Sequence, residues 1–218
     1  MKKFKIIMVA TLLLSIVVSG VMFSLMEDII PIHFDIYGKP DQYGSKYFLL
    51  FIPGISTLCG VAMLLICRYA NVSENYKKYL CLVGTILEAI FLVLIIVLSV
   101  YILNYTEDTP SFDIAKVMMF IFGPMFIILS NFMPKIEKNS TLGIKVYWSM
   151  YNEVTWQKTH RFAGFVGIVI GVLILVAGFI FKEMVNYIIL MSLIGVYCLL
   201  TTIASYKYYK EEKVKENA

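Results

Sequence analysis

Few side chains in this 218-residue chain could do chemistry. There are two histidines, His33 and His160, and a histidine pair would suit a metal or a nucleophile–base arrangement. Four cysteines, Cys59, Cys67, Cys81 and Cys198, could ligate a metal or pair as disulfides. The adjacent Glu211 and Glu212 could share acid–base work, as paired carboxylates do. Glu88 stands alone inside an apolar run. It would be a relay or ligand site there, or a protonated side chain bonded to a neighbouring helix. Which of these readings survives depends on where the chain carries each residue.

The elements that must position them are apolar runs. The chain is 60% hydrophobic and 16% charged, against about 25% charge in soluble domains. A hydrocarbon core of about 30 Å needs roughly 20 apolar residues in a helix, and six segments qualify. They are Phe4 to Met26, Tyr47 to Ala70, Tyr79 to Leu103, Ala115 to Met133, Phe162 to Phe181 and Asn186 to Tyr206. The first has the lysine flank of a signal peptide, but its run is too long and no small-x-small cleavage site follows, so an uncleaved span is expected. A backbone crossing lipid must bond to itself. The expected fold is therefore all-α, a single polytopic membrane domain over 1–218 with six transmembrane helices.

Basic residues set the orientation. Lys2, Lys3 and Lys5, then Arg68, Lys77 and Lys78, then Lys135, Lys138, Lys145, Lys158 and Arg161, then Lys207, Lys210, Lys213 and Lys215 fall on one side. Only Lys39, Lys46, Lys116 and Lys182 fall on the other. Both termini are expected in the cytoplasm, with an outer loop at 27–46, a cytoplasmic amphipathic segment at 134–161 and a solvated tail at 207–218. The net charge of +4 comes from these flanks and is no sign of nucleic-acid binding.

That placement removes most of the chemistry. His33 and His160 fall on opposite faces, so they share neither a metal nor a triad. Glu211 and Glu212 lie in the tail rather than a span. The cysteines sit in or at the ends of apolar runs and match no zinc spacing, which implies neither a metal nor a disulfide. No phosphate-binding glycine loop or Gly-x-Ser-x-Gly elbow occurs. A non-enzyme without cofactor or metal is expected. Pro53 and Pro124 should kink the second and fourth spans, freeing the carbonyls of Leu49 and Phe120. Gly167 and Gly171 form a GxxxG pair suited to close packing.

Two polar stretches remain unexplained by membrane crossing. In "PIHFDIYGKPDQYGSK", residues 31–46, prolines and glycines rule out a regular helix. Ile32, Phe34 and Ile36 alternate with His33 and Asp35 as an extended stretch, and Gly38-Lys39-Pro40-Asp41 reads as a turn whose Asp41 bonds the following backbone. In residues 139–164, Asn152 can cap a helix starting at Glu153. Trp156, His160, Gly164, Gly167 and Gly171 would share one face of it. Before it, Ile144, Tyr147, Tyr151 and Val154 fall on one side, as in an interfacial helix. That segment would anchor at the membrane surface, dock a partner, or do both.

The first stretch resembles an outer-loop motif of small bacterial membrane proteins, carried by Pro31, His33, Phe34, Asp35, Gly38, Pro40, Asp41 and Lys46, with Pro53 after them. The second resembles the hallmark of the SdpI family. Asn139, Gly143, Ile144, Trp148, Asn152, Trp156, Thr159, His160, Arg161 and Gly164 match, while Lys145, Tyr147 and Ser149 depart from the family's Arg, Pro and Thr. The resemblance implies immunity to a secreted peptide toxin met by the outer loop. It also implies an ArsR-type repressor held at the cytoplasmic motif, for which Gly143, Lys145, Trp148, Asn152, Trp156, His160 and Arg161 are the candidate residues. The alternative class is a small transporter or channel with a pathway near Glu88.

Overall fold

The computed structural model describes residues 2–35, 37–69, 73–105, 113–139 and 142–216. Six of its helices are long and apolar enough to cross a membrane. They fall into two compact units, Met1–Asp113 and Ile114–Ala218. Ile36, expected in the extended stretch, and Ala70, the expected end of the second span, lie outside the described residues.

The first unit comprises α1 (Lys2–Leu25), strands β1 (Ile29–Phe34) and β2 (Pro40–Ser45), a 3-10 turn (Lys46–Leu50), α2 (Phe51–Tyr69) and α3 (Glu74–Leu103). The all-α expectation thus gains one antiparallel hairpin where the sequence promised only an extended stretch and a turn. α3 starts a turn earlier than its apolar run because Ser73 Oγ accepts the Tyr76 N–H at 3.2 Å. Pro53 does not kink α2. It stands in the first turn of a helix that begins at Phe51, where its missing N–H is one of the donors that no helix can satisfy. Met8, Leu12, Leu80 and Ile95 are buried between the three helices.

The second unit comprises α4 (Ile114–Phe132), a short 3-10 turn (Met133–Lys135), α5 (Glu153–Ile180) and α6 (Glu183–Glu216). α5 is central, and Met119, Ile170, Ile174, Ala177 and Leu190 form the core around it. α4 and α5 touch almost backbone to backbone. A Cβ on Gly171 would lie 2.7 Å from the Gly123 carbonyl oxygen, and one on Gly167 would lie 2.0 Å from Ser130 Oγ. Small residues permit this approach, which is how helices gain packing contacts where lipid offers no hydrophobic drive.

α6 has 34 residues and at about 1.5 Å per residue is longer than the hydrocarbon layer. Its end is therefore no loose solvated tail. Residues 207–216 continue the helix and dock on the start of α5, where Lys158 Nζ lies 2.9 Å from Glu212 Oε1 and 3.6 Å from Glu211 Oε2.

Candidate functional site

The hairpin is assembled by the residues of the first motif. Ile29 pairs with Ser45, Ile30 with Gly44 and Pro31 with Tyr43; two register shifts then set His33 opposite Gln42 and Phe34 opposite Pro40. Ile32 on β1 and Asp41 on β2 are left as the extra residues, and Asp41 Oδ1 lies 2.6 Å from His33 Nδ1. This corrects the expected turn, because Asp41 bonds across the hairpin and Asp35 does the capping. Asp35 Oδ1 accepts the N–H groups of Tyr37 (2.9 Å) and Lys39 (2.8 Å). Its own N–H donates to the Lys39 carbonyl at 2.8 Å. An aspartate reaches the amide two residues on, so the carboxylate that precedes the turn is the one that can close it. Gly38 completes the turn with φ +76°, a conformation that side chains resist.

The hairpin is also fastened to its helices. Tyr101 of α3 reaches the Gly38 carbonyl through its hydroxyl (3.4 Å) and packs edge-on against Phe34. At the base, Lys46 pairs with Asp28 at 3.0 Å and lies over the Phe23 ring. Tyr101 is distant in sequence from everything it supports, so no local pattern announces it. Among the side chains left outward are His33, Tyr37, Lys39, Asp41, Gln42 and Tyr43. Beneath β1 lies an apolar cleft of about 200 Å³ whose walls include Ile30, Phe34, Phe48, Ile52, Leu98 and Ile102. Sequence reading missed this cleft, since its walls come from a strand, a 3-10 turn and two helices.

Glu88 is fully buried in the first unit. Its Oε2 accepts the Ser56 hydroxyl at 2.6 Å, while Oε1 has no hydrogen-bond partner among the described residues. Gly60 lets the carboxyl lie against α2, since a Cβ there would stand 2.7 Å from Oε1. Ser56 and Gly60 share a face of α2 at helical spacing, a signal readable only once Glu88 is known to point at them.

In the second unit the inner motif forms a knot of buried polar contacts. Asn152 caps α5 as expected: its Oδ1 accepts the Thr155 N–H at 2.8 Å, and Thr155 Oγ1 accepts the Asn152 N–H at 3.1 Å. Such reciprocal capping satisfies two amides at once. Thr155 was passed over, although the Asn-x-x-Thr spacing was the available sign. One turn on, Trp156 and His160 stack with centroids 3.9 Å apart. Trp156 Nε1–H donates to the Ile136 carbonyl at 2.7 Å. His160 Nδ1–H donates to the Trp156 carbonyl at 2.8 Å, and Nε2 accepts the Ile144 N–H at 3.0 Å. One ring nitrogen gives and the other receives, so the imidazole is neutral and in a single tautomer.

Gly143, with φ +106°, fits against this pair; a Cβ there would stand 2.3 Å from His160 Nε2 and 3.0 Å from the Trp156 ring. Asn139 Oδ1 accepts the Leu142 N–H at 2.6 Å. Ser149 Oγ clasps the loop, donating to the carbonyls of Ile144 (2.6 Å) and Val146 (2.9 Å). The hydroxyl is what this position needs, and the threonine of the family motif would carry the same group. The expected interfacial helix before Asn152 does not form. Residues 147–150 are turns, with one helix-like bond from the Met150 N–H to the Val146 carbonyl, because Gly143 and Asn152 break the run on either side.

The docking residues divide accordingly. Trp156 and His160 are buried with their polar atoms engaged, Gly143 is held against them, and Asn152 is spent on the cap. Trp148 packs on Tyr206 of α6, and Tyr151 packs on Tyr209. The Tyr151 hydroxyl donates to Glu216, which pushes this phenol up to about 12. Lys145 and Arg161 stay exposed, as does Tyr147 at 74%. The motif is therefore mostly a frame, and the surface it presents is smaller than its list of residues.

Comparison with known proteins follows the same division. Residues 135–205 match the SdpI/YfhL protein family, and residues 10–57 match a domain of unknown function, DUF1648. The chain is 29% identical over 213 residues to "Immunity protein SdpI" of Bacillus subtilis (strain 168), spanning 97% of this chain and 98% of that protein. No solved structure matches.

Proposed function

We propose that this chain is an SdpI-family, multi-pass bacterial membrane protein that confers immunity to a secreted antimicrobial peptide. The observation that carries the proposal is the end-to-end similarity to an immunity protein. The toxin meets the hairpin face, which the charge distribution puts outside the cell. The outward His33, Tyr37, Gln42 and Tyr43 offer polar and aromatic contacts, and the cleft beneath β1 takes an apolar side chain of the peptide. Rings that carry a polar tip are well suited to such a surface.

In the second unit, the start of α5 and the end of α6 with the 142–151 loop form a basic and aromatic surface. Its exposed members Lys145, Tyr147 and Arg161 hold an ArsR-type repressor when toxin is bound. Coupling between the faces requires two arrangements of the helices that toxin favours unequally.

The test is expression in a toxin-sensitive bacterium, challenged with candidate peptides at matched membrane levels of protein. Leu98→Trp, which fills the cleft without touching the hairpin's hydrogen bonds, should abolish protection. Tyr147→Ala should leave survival unchanged while reducing membrane recruitment of a tagged repressor. Full protection by a well-inserted Leu98→Trp protein against every peptide that the wild type resists would remove the cleft from the account.

A further inference from the structure

Cys67 and Cys81 come together although their spacing matches no motif. Cys67 stands in the last turns of α2 and Cys81 near the start of α3, and both are buried within the first unit. Their thiols are free, with the Cys81 S–H directed at Cys67 Sγ and the two sulfurs 2.9 Å apart. A disulfide bond is about 2.05 Å long, so the sulfurs would have to close by less than about 1 Å. Two antiparallel helices joined by a short connection supply the proximity, and proximity is what turns a slow encounter between thiols into a fast intramolecular step.

We propose that Cys67 and Cys81 are a redox-active dithiol, oxidised by a hydroperoxide to a disulfide that staples α2 to α3. Cys67 is the attacking residue, because its sulfur accepts the Cys81 S–H. Two backbone carbonyls mark that corner: Lys5 Nζ donates to the Cys67 carbonyl at 3.3 Å, and the Cys67 S–H donates to the Lys77 carbonyl at 3.9 Å. Cys67 Sγ gives up its proton and attacks one peroxide oxygen, the O–O bond breaks, and Cys67 becomes a sulfenic acid as the leaving oxygen takes up that proton. Cys81 then attacks the sulfenic sulfur. The S–O bond breaks, the S–S bond forms, and water leaves with the Cys81 proton. Two thiols are oxidised and one hydroperoxide is reduced. A low-molecular-weight thiol reverses the link by exchange. The device suits a reducing compartment, where disulfides are transient and serve as sensors.

The experiment uses the full chain in native membranes, treated with hydrogen peroxide, then denatured and alkylated with a mass-tagged maleimide. Untreated protein should take four tags, one for each cysteine of the chain. Treated protein should take two, and digestion should yield a Cys67–Cys81 peptide lighter by two hydrogens that dithiothreitol separates. Cys67→Ser and Cys81→Ser should each abolish that peptide. With Cys81→Ser, Cys67 should be trapped as a sulfenic acid by dimedone, which distinguishes a reactive pair from a protein that merely unfolded. If Cys67 and Cys81 stay fully alkylatable at peroxide levels that oxidise the exposed Cys198, and diamide gives the same result, the proposal is wrong. Oxidation that links Cys59 or Cys198 between chains and spares the pair would also overturn it.

Discussion

Gly143→Ala tests the inner motif at its tightest point. The new methyl group would meet three obstacles. Gly143 has φ +106°, and holding a side chain in so sparsely populated a region costs about 1–3 kcal/mol. The methyl carbon would stand 2.3 Å from His160 Nε2 and 3.0 Å from the Trp156 ring, and forcing an atom into a packed site costs roughly 1–3 kcal/mol. Moving the imidazole aside breaks the 3.0 Å bond from the Ile144 N–H, and an amide left unsatisfied there costs another 1–3 kcal/mol or so. The three overlap, because one movement of the ring relieves the clash and breaks the bond. A total on the order of 3–5 kcal/mol follows, which shifts opening of the loop by about 10²- to 4 × 10³-fold.

The assay exploits the chain's two tryptophans. In a Trp148→Phe background Trp156 is the sole indole, fully buried. Acrylamide should quench it weakly in the parent and strongly after Gly143→Ala, with a lower unfolding midpoint in detergent. Gly20→Ala and Gly195→Ala are the controls. Neither glycine has anything within 4 Å of an added Cβ, and alanine in a helix gains roughly 0.5–1 kcal/mol over glycine. If Gly143→Ala quenches and unfolds like these controls, the knot of Gly143, Trp156 and His160 does not hold the loop.

Gly171→Ala should destabilise the second unit more stubbornly than Gly167→Ala, as read from thermal unfolding in detergent. The first clash is with the Gly123 backbone oxygen, which cannot move aside. The second is with Ser130 Oγ, which Ser130→Ala removes, so only the Gly167 variant should be partly rescued. Asp35→Ala deletes the acceptor for two turn amides, worth about 1 kcal/mol each. Chymotrypsin added to right-side-out membranes should then nick the Tyr37–Gly38 bond about 10- to 30-fold faster. Asp35→Asn, which keeps an acceptor oxygen, should stay near the parent rate. No nicking in that orientation, with nicking in inverted membranes, would reverse the topology.

What the sequence determined by itself is what depends on near neighbours. Six spans were legible because transfer into lipid is nearly additive along a helix, and the helices at 51–69, 74–103 and 153–180 fall on the expected runs. The Asn152 cap and the shared face of Trp156, His160, Gly164, Gly167 and Gly171 were legible because capping and helical periodicity operate within a few residues.

Tertiary structure decided what each of those residues is for. Trp156 and His160 have the composition of a docking patch, yet they are packed inside, because Gly143 and the Ile136 carbonyl approach from a loop whose path no local rule sets. Asp41 could have capped its own turn, but His33 across a hairpin with two register shifts draws it away. Cys67 and Cys81 match no motif, and only the packing of α2 on α3 brings their sulfurs together. Glu211 and Glu212 read as a solvated tail until α6 carried them to Lys158. In each case the partner comes from a separate element. A side chain's own neighbours establish its helix, strand or turn, whereas its burial and its bonds depend on which distant backbone the fold brings against it.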